Sequence, residues 1–295
     1  MIHETIVLNS GHKMPLLGMG TAADPLPPSE LLESSVISAI ELGYRHFDTA
    51  AVYQSEQPLG RAISEALRRG LMANRGELFI TTKLWCGHAH PDLVVPALRL
   101  SLEALELDYV DLYLIHFPAR FNLTEKSFNE KKDDLLPFDM EGTWQAMEKC
   151  YELGLAKSIG VSNFSCKKLS KLLDSAIVPP AVNQVEMHPL WQQKKLRDFC
   201  AEKGIHVSAY SPLGGKGAKW GICLRWALEH GVSIIPKSFN KERLKENMEI
   251  FDWELSKEEL QKMSTLPQNR IFTAEYLVSE DGLFKSLSDL WDDEI

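Results

Sequence analysis

Residues 78–116 have the sequence LFITTKLWCGHAHPDLVVPALRLSLEALELDYVDLYLIH, and this stretch decides the fold. It begins with β-branched and apolar residues at 78–83, continues with helical spacing at 91–105 and ends with a second apolar run at 110–116. A strand, a helix and a strand in this order predict one β-α-β unit with parallel strands and a right-handed crossover.

The same alternation continues on both sides of this unit. We expect an N-terminal hairpin at 5–9 and 13–17. Strands are predicted at 17–20, 45–48, 78–83, 110–116, 157–161, 182–186, 206–210 and 233–237. Helices are predicted at 30–42, 57–69, 91–105, 142–153, 165–174, 192–203 and 223–230. Eight strands separated by helices fit an α/β (β/α)8 TIM barrel better than an open sheet, with residues 1–295 as a single domain.

Two segments have no place in this alternation: a polar loop at 121–139, after the fourth strand, and the C-terminal tail at 266–295. Loops at the C-terminal ends of barrel strands usually shape the substrate pocket. We therefore expect both segments at the pocket, although the tail could simply cover surface.

Composition excludes several classes of function. The chain has 295 residues and a formal net charge of -9, which argues against nucleic acid as the main partner. No stretch approaches about 18 uninterrupted apolar residues, so no membrane span is expected. The odd set of cysteines lacks a C-x-x-C pair and predicts reduced thiols in a cytoplasmic protein. These are Cys86, Cys150, Cys166, Cys200 and Cys223.

Polar residues lie in or at the ends of the predicted strands. They are Asp48, Lys83, His116, Ser162, Asn163, Gln184, Glu186, Tyr210 and Lys237. Buried polar groups are costly unless they are paired. Any one of them could be a solvated loop residue or part of a core ion pair. Because the C-terminal ends of barrel strands converge on one face, the set as a whole favours an active site there.

Motifs in these strands give a resemblance that covers nearly the whole chain in order. They are GYRHFDTAAVY (43–53), TKLW (82–85), DLYLIH (111–116), GVSNF (160–164), NQVE (183–186), YSPLG (210–214) and IPKS (235–238). Together they resemble the aldo-keto reductases. KLWC (83–86) and the tail WDDEI (291–295) are similar to the plant branch, which includes polyketide reductases, codeinone-type reductases and enzymes making deoxymugineic acid. The resemblance implies NADPH-dependent reduction of an aldehyde or ketone in plant specialised metabolism, by a monomer.

The resemblance also implies a catalytic tetrad of Asp48, Tyr53, Lys83 and His116. A ketone that accepts hydride needs a proton, which Tyr53 can donate, although a free phenol titrates near about 10. The Lys83 ammonium is expected to lower that pKa, with Asp48 holding the ammonium in place. His116 would bind the substrate oxygen and select its orientation.

For the cofactor, the resemblance implies contacts from the same end of the barrel. Ser162, Asn163 and Gln184 would bind the nicotinamide carboxamide, Tyr210 would stack on its ring, and Thr21 and Asp48 would also contact the cofactor. Along the pyrophosphate we expect Ser211, Leu213 and Gly214. The adenosine end would be bound by Lys237, Ser238, Phe239, Asn240, Arg243, Glu246 and Asn247, at a helix start near Asn240. The alternative for this region is a helix start with solvated basic residues.

The chain departs from the family pattern in two places. Only 22 residues lie between Tyr210 and Ser233, and we expect a loop with a helical segment to be missing between Gly221 and Ile222. This shortened seventh crossover is expected to weaken NADPH binding or to destabilise the protein. Ala22 stands where some family members have an aromatic residue, which favours a wide pocket whose apolar walls are Trp85 and Phe117.

Two alternatives stay open at this point, and two further signals are weak. An impaired barrel that binds cofactor could act in interaction or regulation, because of the missing segment. Lys83 could be a Schiff-base residue of a barrel aldolase, although Tyr53 argues against it. The glycines at 215 and 217 form only a weak phosphate-loop signal, and we expect no metal at His88 and His90, which lack further ligands at suitable spacing.

Overall fold

Eight parallel strands form the centre of the computed structural model, which describes residues 4–122, 134–214 and 220–294. They are β3 (Met19–Gly20), β4 (His46–Asp48), β5 (Phe79–Leu84), β6 (Val110–Ile115), β9 (Ala156–Ser162), β10 (Val182–Glu186), β11 (His206–Tyr210) and β12 (Ser233–Ile234). Their order in the sheet follows their order in the chain.

Backbone hydrogen bonds join the first strand to the last. The amide of Gly18 donates to the oxygen of Ile234 over 2.8 Å, and the amide of Ile234 donates to the oxygen of Leu16 over 2.7 Å. Leu17 and Ile234 thereby form a parallel bridge. The sheet is therefore closed, as the predicted (β/α)8 barrel requires.

The predicted helices between the strands are present, with ends within three residues of expectation. They are α1 (Ser29–Leu42), α2 (Glu56–Arg68), α3 (Val94–Leu105), α4 (Met140–Glu152), α5 (Cys166–Leu173), α6 (Lys194–Glu202) and α7 (Trp220–Glu229). Their apolar faces pack on the strands in one core. At Gly60, a Cβ atom would lie 2.4 Å from the oxygen of Leu105, so only glycine allows α2 to approach the end of α3 this closely.

The N-terminal hairpin forms as predicted, from β1 (Thr5–Val7) and β2 (Lys13–Pro15). The prediction for 233–237 is too long, because β12 ends at Ile234 and Pro236 interrupts the chain soon afterwards. In the 121–139 loop, β7 (Arg120–Phe121) pairs with β8 (Leu135–Leu136), which was not predicted. The rest of that loop, residues 123–133, lies outside the described residues, as do residues 215–219 with their glycines.

The seventh crossover contains α7, which begins earlier than predicted. Its residues Leu224, Trp226 and Ala227 are fully buried, so the helix does cover its strands, while Ile222 remains partly exposed. Three short helices follow the barrel: α8 (Lys241–Glu246), α9 (Lys257–Ser264) and α10 (Leu287–Trp291). In the part of the chain that the structure describes, no helix combines the length and hydropathy needed to cross a bilayer.

Candidate active site

A buried ion pair lies at the C-terminal ends of β4 and β5. The Lys83 ammonium donates to Asp48 Oδ1 over 2.6 Å and to the oxygen of Thr49 over 3.0 Å. Asp48 Oδ2 accepts from Gln184 Nε2 over 2.7 Å. Lys83 is 1% exposed and Asp48 2% exposed, so neither charge is stabilised by bulk water. The pair and these hydrogen bonds compensate for that loss.

A chain of hydroxyl groups lies beside the turn that carries Tyr53. The hydroxyl of Thr21 donates to the oxygen of Asp48, and Ser55 Oγ lies 2.7 Å from the hydroxyls of both Thr21 and Thr49. Each hydroxyl has one hydrogen, so Thr49 donates to Ser55 and Ser55 donates to Thr21. Every hydroxyl in this chain is satisfied, which fixes the start of α2 relative to β4.

Tyr53 and His116 meet above this pair. The phenol oxygen lies 3.2 Å from His116 Nε2, and the two rings meet edge to face. The Lys83 ammonium lies 4.8 Å from the centroid of the Tyr53 ring. Trp85 covers His116 with a second edge-to-face contact, at 5.3 Å. The structure therefore brings all four predicted tetrad residues together.

Burial sets the protonation of these groups. It raises the pKa of Tyr53 far above its usual value, and the Asp48 charge raises it further. The sequence predicted that Lys83 would lower the pKa of Tyr53, and the direction found is the opposite. The charge of Asp48 offsets that of the ammonium, and a buried phenolate is not stabilised by water. Burial also lowers the pKa of His116 well below its usual value, and the Lys83 charge adds to that effect. Near neutral pH, Tyr53 is a neutral phenol and His116 a neutral imidazole.

Hydrogen bonds connect the polar residues of β9, β10 and β11. Asn163 Nδ2 donates to the oxygen of His116 over 3.0 Å, and Asn163 Oδ1 accepts from the Tyr210 hydroxyl over 2.8 Å. The hydroxyl of Ser162 donates to the oxygen of Gln184. Asn163 has a φ of 65°, a left-handed conformation that is uncommon outside glycine and often found at functional sites. The four residues predicted at the nicotinamide thus lie beside the tetrad.

The residues predicted along the pyrophosphate form a turn after β11. The amide of Gly214 donates to the oxygen of Ser211, and Leu213 packs partly buried against the core. Gly214 has a φ of 62°, and a Cβ atom there would lie 2.9 Å from the His188 ring. The backbone of this turn therefore lies in a position that no side chain could share.

The residues predicted at the adenosine end follow β12 and enter α8. Lys237 and Arg243 are exposed, as are Asn240 and Glu246, whereas Ser238 and Asn247 are buried. Asn240 caps α8 by accepting from the amide of Arg243, and the Lys237 ammonium lies 5.6 Å from the centroid of the Phe239 ring. Two exposed cations thus lie within seven residues of each other in a protein of net negative charge.

Aromatic rings lie near His116, where the sequence predicts the opening for the substrate. Of the predicted wall residues, Phe117 is buried, Trp85 is partly buried and Ala22 is exposed. Two rings from the tail complete the wall, since Phe117 meets Trp291 edge to face at 5.5 Å and Phe272 at 6.3 Å. The sequence predicts the tail at the pocket but does not single out these two residues as part of its wall. Only tertiary contacts identify them.

Ion pairs hold the end of the tail on α5 and α6. Asp292 binds Lys168 and accepts from the Ser165 hydroxyl, and Glu294 accepts from the amide of Cys166 and pairs with Lys195 over 3.3 Å. The Trp291 indole, directly before these carboxylates, donates to the oxygen of Thr273. Its position in the pocket wall therefore depends on these surface charges.

The geometry gives no support for a metal site at the two histidines considered in the sequence. His90 Nε2 lies 2.9 Å from the oxygen of Phe121. Within residues 4–122, 134–214 and 220–294, no three His, Cys, Asp or Glu side chains are grouped so that they could hold an ion.

A family model for the aldo/keto reductases matches residues 16–221, which is more than half of the chain. The chain belongs to the aldo-keto reductase family. Solved structures of this aldo-keto reductase's relatives agree with its fold. An aldo-keto reductase from Bombyx mori in complex with NADP has a TM-score of 0.85 at 37% identity, covering 93% of this chain and 96% of that one. The aldose reductase from Schistosoma japonicum has a TM-score of 0.88 at 34% identity, with the same coverage.

Curated relatives come from plants. The (1S)-1,7-diacetoxy-luvungin A aldo-keto reductase from Citrus sinensis is 52% identical over 305 residues. The alignment covers 96% of this chain and 95% of the relative. Deoxymugineic acid synthase 1 from Oryza sativa is 50% identical over 309 residues, covering 97% of each chain. The resemblance stated from the motifs is confirmed, and the protein is an NADP(H)-dependent oxidoreductase.

This aldo-keto reductase is shorter than its relatives inside the aligned region. The alignment with the Citrus protein spans 305 positions, whereas 96% of the 295 residues of this chain is about 283. About 22 positions of the relative are therefore aligned with gaps in this chain. The family match also ends at residue 221, where the sequence analysis placed the missing segment. A gap near Gly221 and Ile222 stays a prediction that agrees with both observations.

Proposed function

We propose that this aldo-keto reductase reduces an aldehyde or ketone to an alcohol in plant specialised metabolism, with NADPH as hydride donor and Tyr53 as proton donor. The observation that carries the proposal is the 3.2 Å contact between the Tyr53 phenol and His116 Nε2, directly above the buried Lys83–Asp48 pair. The names of the plant relatives, which include a luvungin A aldo-keto reductase from Citrus sinensis and rhazimal reductase 2 from Alstonia scholaris, support the metabolic setting.

Bound NADPH supplies the hydride, and the chain's own residues handle the proton and the substrate oxygen. Tyr53 is protonated because burial raises its pKa, so it is ready to donate to an oxygen that gains negative charge. The neutral His116 can donate a hydrogen bond to the same oxygen and orient it. When Tyr53 has given up its proton, the nearby Lys83 ammonium stabilises the phenolate.

The residues around Tyr210 have the chemistry needed to hold the cofactor. Asn163 and Gln184 present amide groups, which match the donor and acceptor of a carboxamide, and the partly buried Tyr210 presents an aromatic ring beside them. The Gly214 turn brings backbone close enough to approach a pyrophosphate, and Lys237 and Arg243 supply positive charge for a 2′-phosphate. These contacts to NADPH are part of the proposal.

The walls of the opening favour an apolar substrate. Trp85, Phe117, Phe272 and Trp291 offer ring faces and edges around His116, and the exposed Ala22 adds no bulk. A carbonyl attached to a flat apolar skeleton would replace water on these rings. We also propose that the protein is a monomer in the cytoplasm. The free thiols of Cys86 and Cys150 support the cytoplasmic compartment.

One observation favours a second candidate function, a barrel that binds cofactor poorly and acts through interaction. About 22 positions of the Citrus relative face no residue here, and we place the gap in the crossover after the pyrophosphate turn. A turn that lost its covering loop would bind NADPH more weakly. All four tetrad residues are nevertheless in place, which favours the reductase.

The deciding experiment is a fluorescence titration of the purified protein with NADPH, followed by addition of a simple aldehyde while the reduced-nicotinamide absorbance is recorded. We expect binding, turnover, and loss of turnover in Tyr53→Phe with binding retained. A folded protein that binds no NADPH would overturn the reductase and support the second candidate. Turnover that survives Tyr53→Phe would show that another group donates the proton.

A further inference from the structure

Glu186 is a buried carboxylate that the tetrad does not use. It ends β10, two residues after Gln184, and is 1% exposed. Its two oxygens accept from the backbone amides of Ile271 and Phe272, each over 2.6 Å, and Oε1 also lies 2.9 Å from His188 Nε2. A barrel strand is thus joined through one side chain to the tail, 85 residues further along the chain.

These bonds keep the carboxylate charged inside the protein. Burial alone would raise the pKa of Glu186, but the hydrogen bonds from His188 and from the two amides outweigh it and lower the pKa. Hydrogen bonds from backbone amides to an ionised carboxylate are short and strong. The backbone at 271–272 is therefore held firmly to the end of β10.

The residue held in this way carries a ring of the pocket. The Phe272 ring meets Tyr210 edge to face at 6.4 Å and Phe117 at 6.3 Å, so it lies between the predicted nicotinamide ring partner and the substrate wall. It remains 37% exposed, which leaves ring surface for a bound molecule to cover. His188, the third partner of Glu186, packs under the Gly214 turn.

We propose that Glu186 is a positioning residue for substrate selection, which fixes the backbone of Ile271 and Phe272 and so sets the space between the Phe272 ring and Tyr210. This inference rests on the proposed reductase function. Small carbonyl compounds would need little contact with Phe272, whereas a compound with fused rings would depend on where that ring lies.

The chain offers a matched control for this carboxylate. Glu148 in α4 is 6% exposed and accepts from the consecutive amides of Ile177 and Val178 over 2.7 and 2.8 Å. Glu148→Gln removes a buried negative charge at a place without tetrad or pocket residues, and its remaining oxygen can still accept from both amides. If only the loss of a buried charge mattered, both variants would behave alike, whereas Glu186→Gln also leaves one of the two tail amides without its acceptor.

The test compares Glu186→Gln with Glu148→Gln on two aldehydes, the fused-ring naphthaldehyde and the small propanal, with NADPH consumption as the signal. For Glu186→Gln we expect the preference for naphthaldehyde over propanal, as the ratio of their kcat/KM values, to fall by about tenfold, mostly because naphthaldehyde binds more weakly. The dissociation constant of NADPH should change by less than about twofold, and Glu148→Gln should leave the ratio unchanged. Equal changes on both aldehydes, or equal ratios in the two variants, would overturn the inference.

A double variant shows whether Glu186 acts through Phe272. If it does, Glu186→Gln combined with Phe272→Ala should discriminate between the aldehydes no worse than Phe272→Ala alone, since the positioned ring is already gone. Additive losses would mean that Glu186 affects the pocket by another route.

Amide hydrogen exchange separates this inference from the function on which it rests. Peptides containing 271–272 should exchange faster in Glu186→Gln than in the wild type and in Glu148→Gln. If the wild type reduces no aldehyde but this exchange pattern is found, the reductase proposal fails while the backbone contact holds. If the wild type is active and exchange at 271–272 does not respond to Glu186→Gln, the positioning role fails.

Discussion

The two halves of the C-terminal end of the barrel differ in whether their charged side chains are buried or exposed. In the half formed by β4, β5 and β6, Lys83 and Asp48 are buried and neutralise each other. In the half formed by β11 and β12, Lys237 and Arg243 are exposed beyond the strand ends. Under the proposed function, the fold itself holds the charge that the reaction uses, whereas the charges that bind the cofactor are left at the surface where an anion can reach them.

Loss of the proton donor should have the largest effect. Tyr53→Phe is expected to lower the turnover of a simple aldehyde by roughly 10²–10⁴-fold, the usual contribution of a positioned acid. NADPH affinity should stay nearly unchanged, because the lost hydroxyl belongs to the other half of the site. Single-turnover kinetics with fluorescence detection of NADPH would check both. A matching loss of affinity would break the separation between the halves.

Removal of one member of the buried pair should affect stability as well as turnover. Lys83→Met leaves Asp48 buried without its cation, and we expect a loss of about 3–5 kcal/mol in the free energy of unfolding. Urea denaturation monitored by circular dichroism measures this loss. A variant as stable as the wild type would show that the pair is not needed to hold Asp48 in the fold.

The exposed cation should behave differently. Lys237→Met is expected to weaken NADPH binding by about tenfold, the value of one charge-assisted hydrogen bond, with NADH binding and the melting temperature unchanged. Lys194→Met, which removes an equally exposed ammonium paired with Asp198 on α6, is the control. Similar losses for NADPH and NADH, or in both variants, would contradict a 2′-phosphate contact.

Acid should act alike on the strands of both halves, through histidines at their N-terminal starts, and this is the smallest difference expected. Burial lowers the pKa of His46 in β4 and of His206 in β11 to about 4. The unfolded chain binds these protons near its ordinary pKa of about 6.5, so it holds more protons than the fold between the two values. Stability is then complete above about 6.5 and falls as the pH drops towards 4.

Urea denaturation at pH 7 and pH 5 checks this expectation. His46→Gln and His206→Gln should each reduce the difference in stability between the two pH values. If only one of them does, the two halves respond differently to acid after all.

The strands and helices could be predicted because each repeats one local pattern. Barrel strands are short and apolar, and their ends came within three residues of the prediction. The tetrad was implied by the resemblance to the family, and the placement of Asp48, Lys83 and His116 at strand ends agreed with it. The start of α8 near Asn240 was expected. The hairpin of β7 and β8 has two residues in each strand, and α9 lies beyond the last barrel strand, outside the strand-helix alternation, so these elements were not found.

Features of the site that depend on contacts between distant parts of the chain could not be predicted from the sequence. The direction of the Tyr53 pKa depends on how deeply the phenol is buried and on the offsetting charge of Asp48, neither of which spacing reveals. Phe272 and Trp291 belong to the pocket only because the tail folds back over more than a hundred residues. Glu186 was visible as a polar residue in a strand, but its partners at 271 and 272 were not.

The attachment of the tail to α5 and α6 combines contacts that salt screens with contacts that it does not. Lys167 and Lys195, which pair with Asp292 and Glu294, are almost fully exposed, so dissolved salt screens these attractions over distances of about 8 Å at physiological concentration. Trp291, one residue before Asp292, forms part of the substrate wall. Dissolved ions therefore weaken only these two outer attractions, whereas the half-buried Lys168 and the hydroxyl of Ser165 keep Asp292, and with it the neighbouring Trp291, in place.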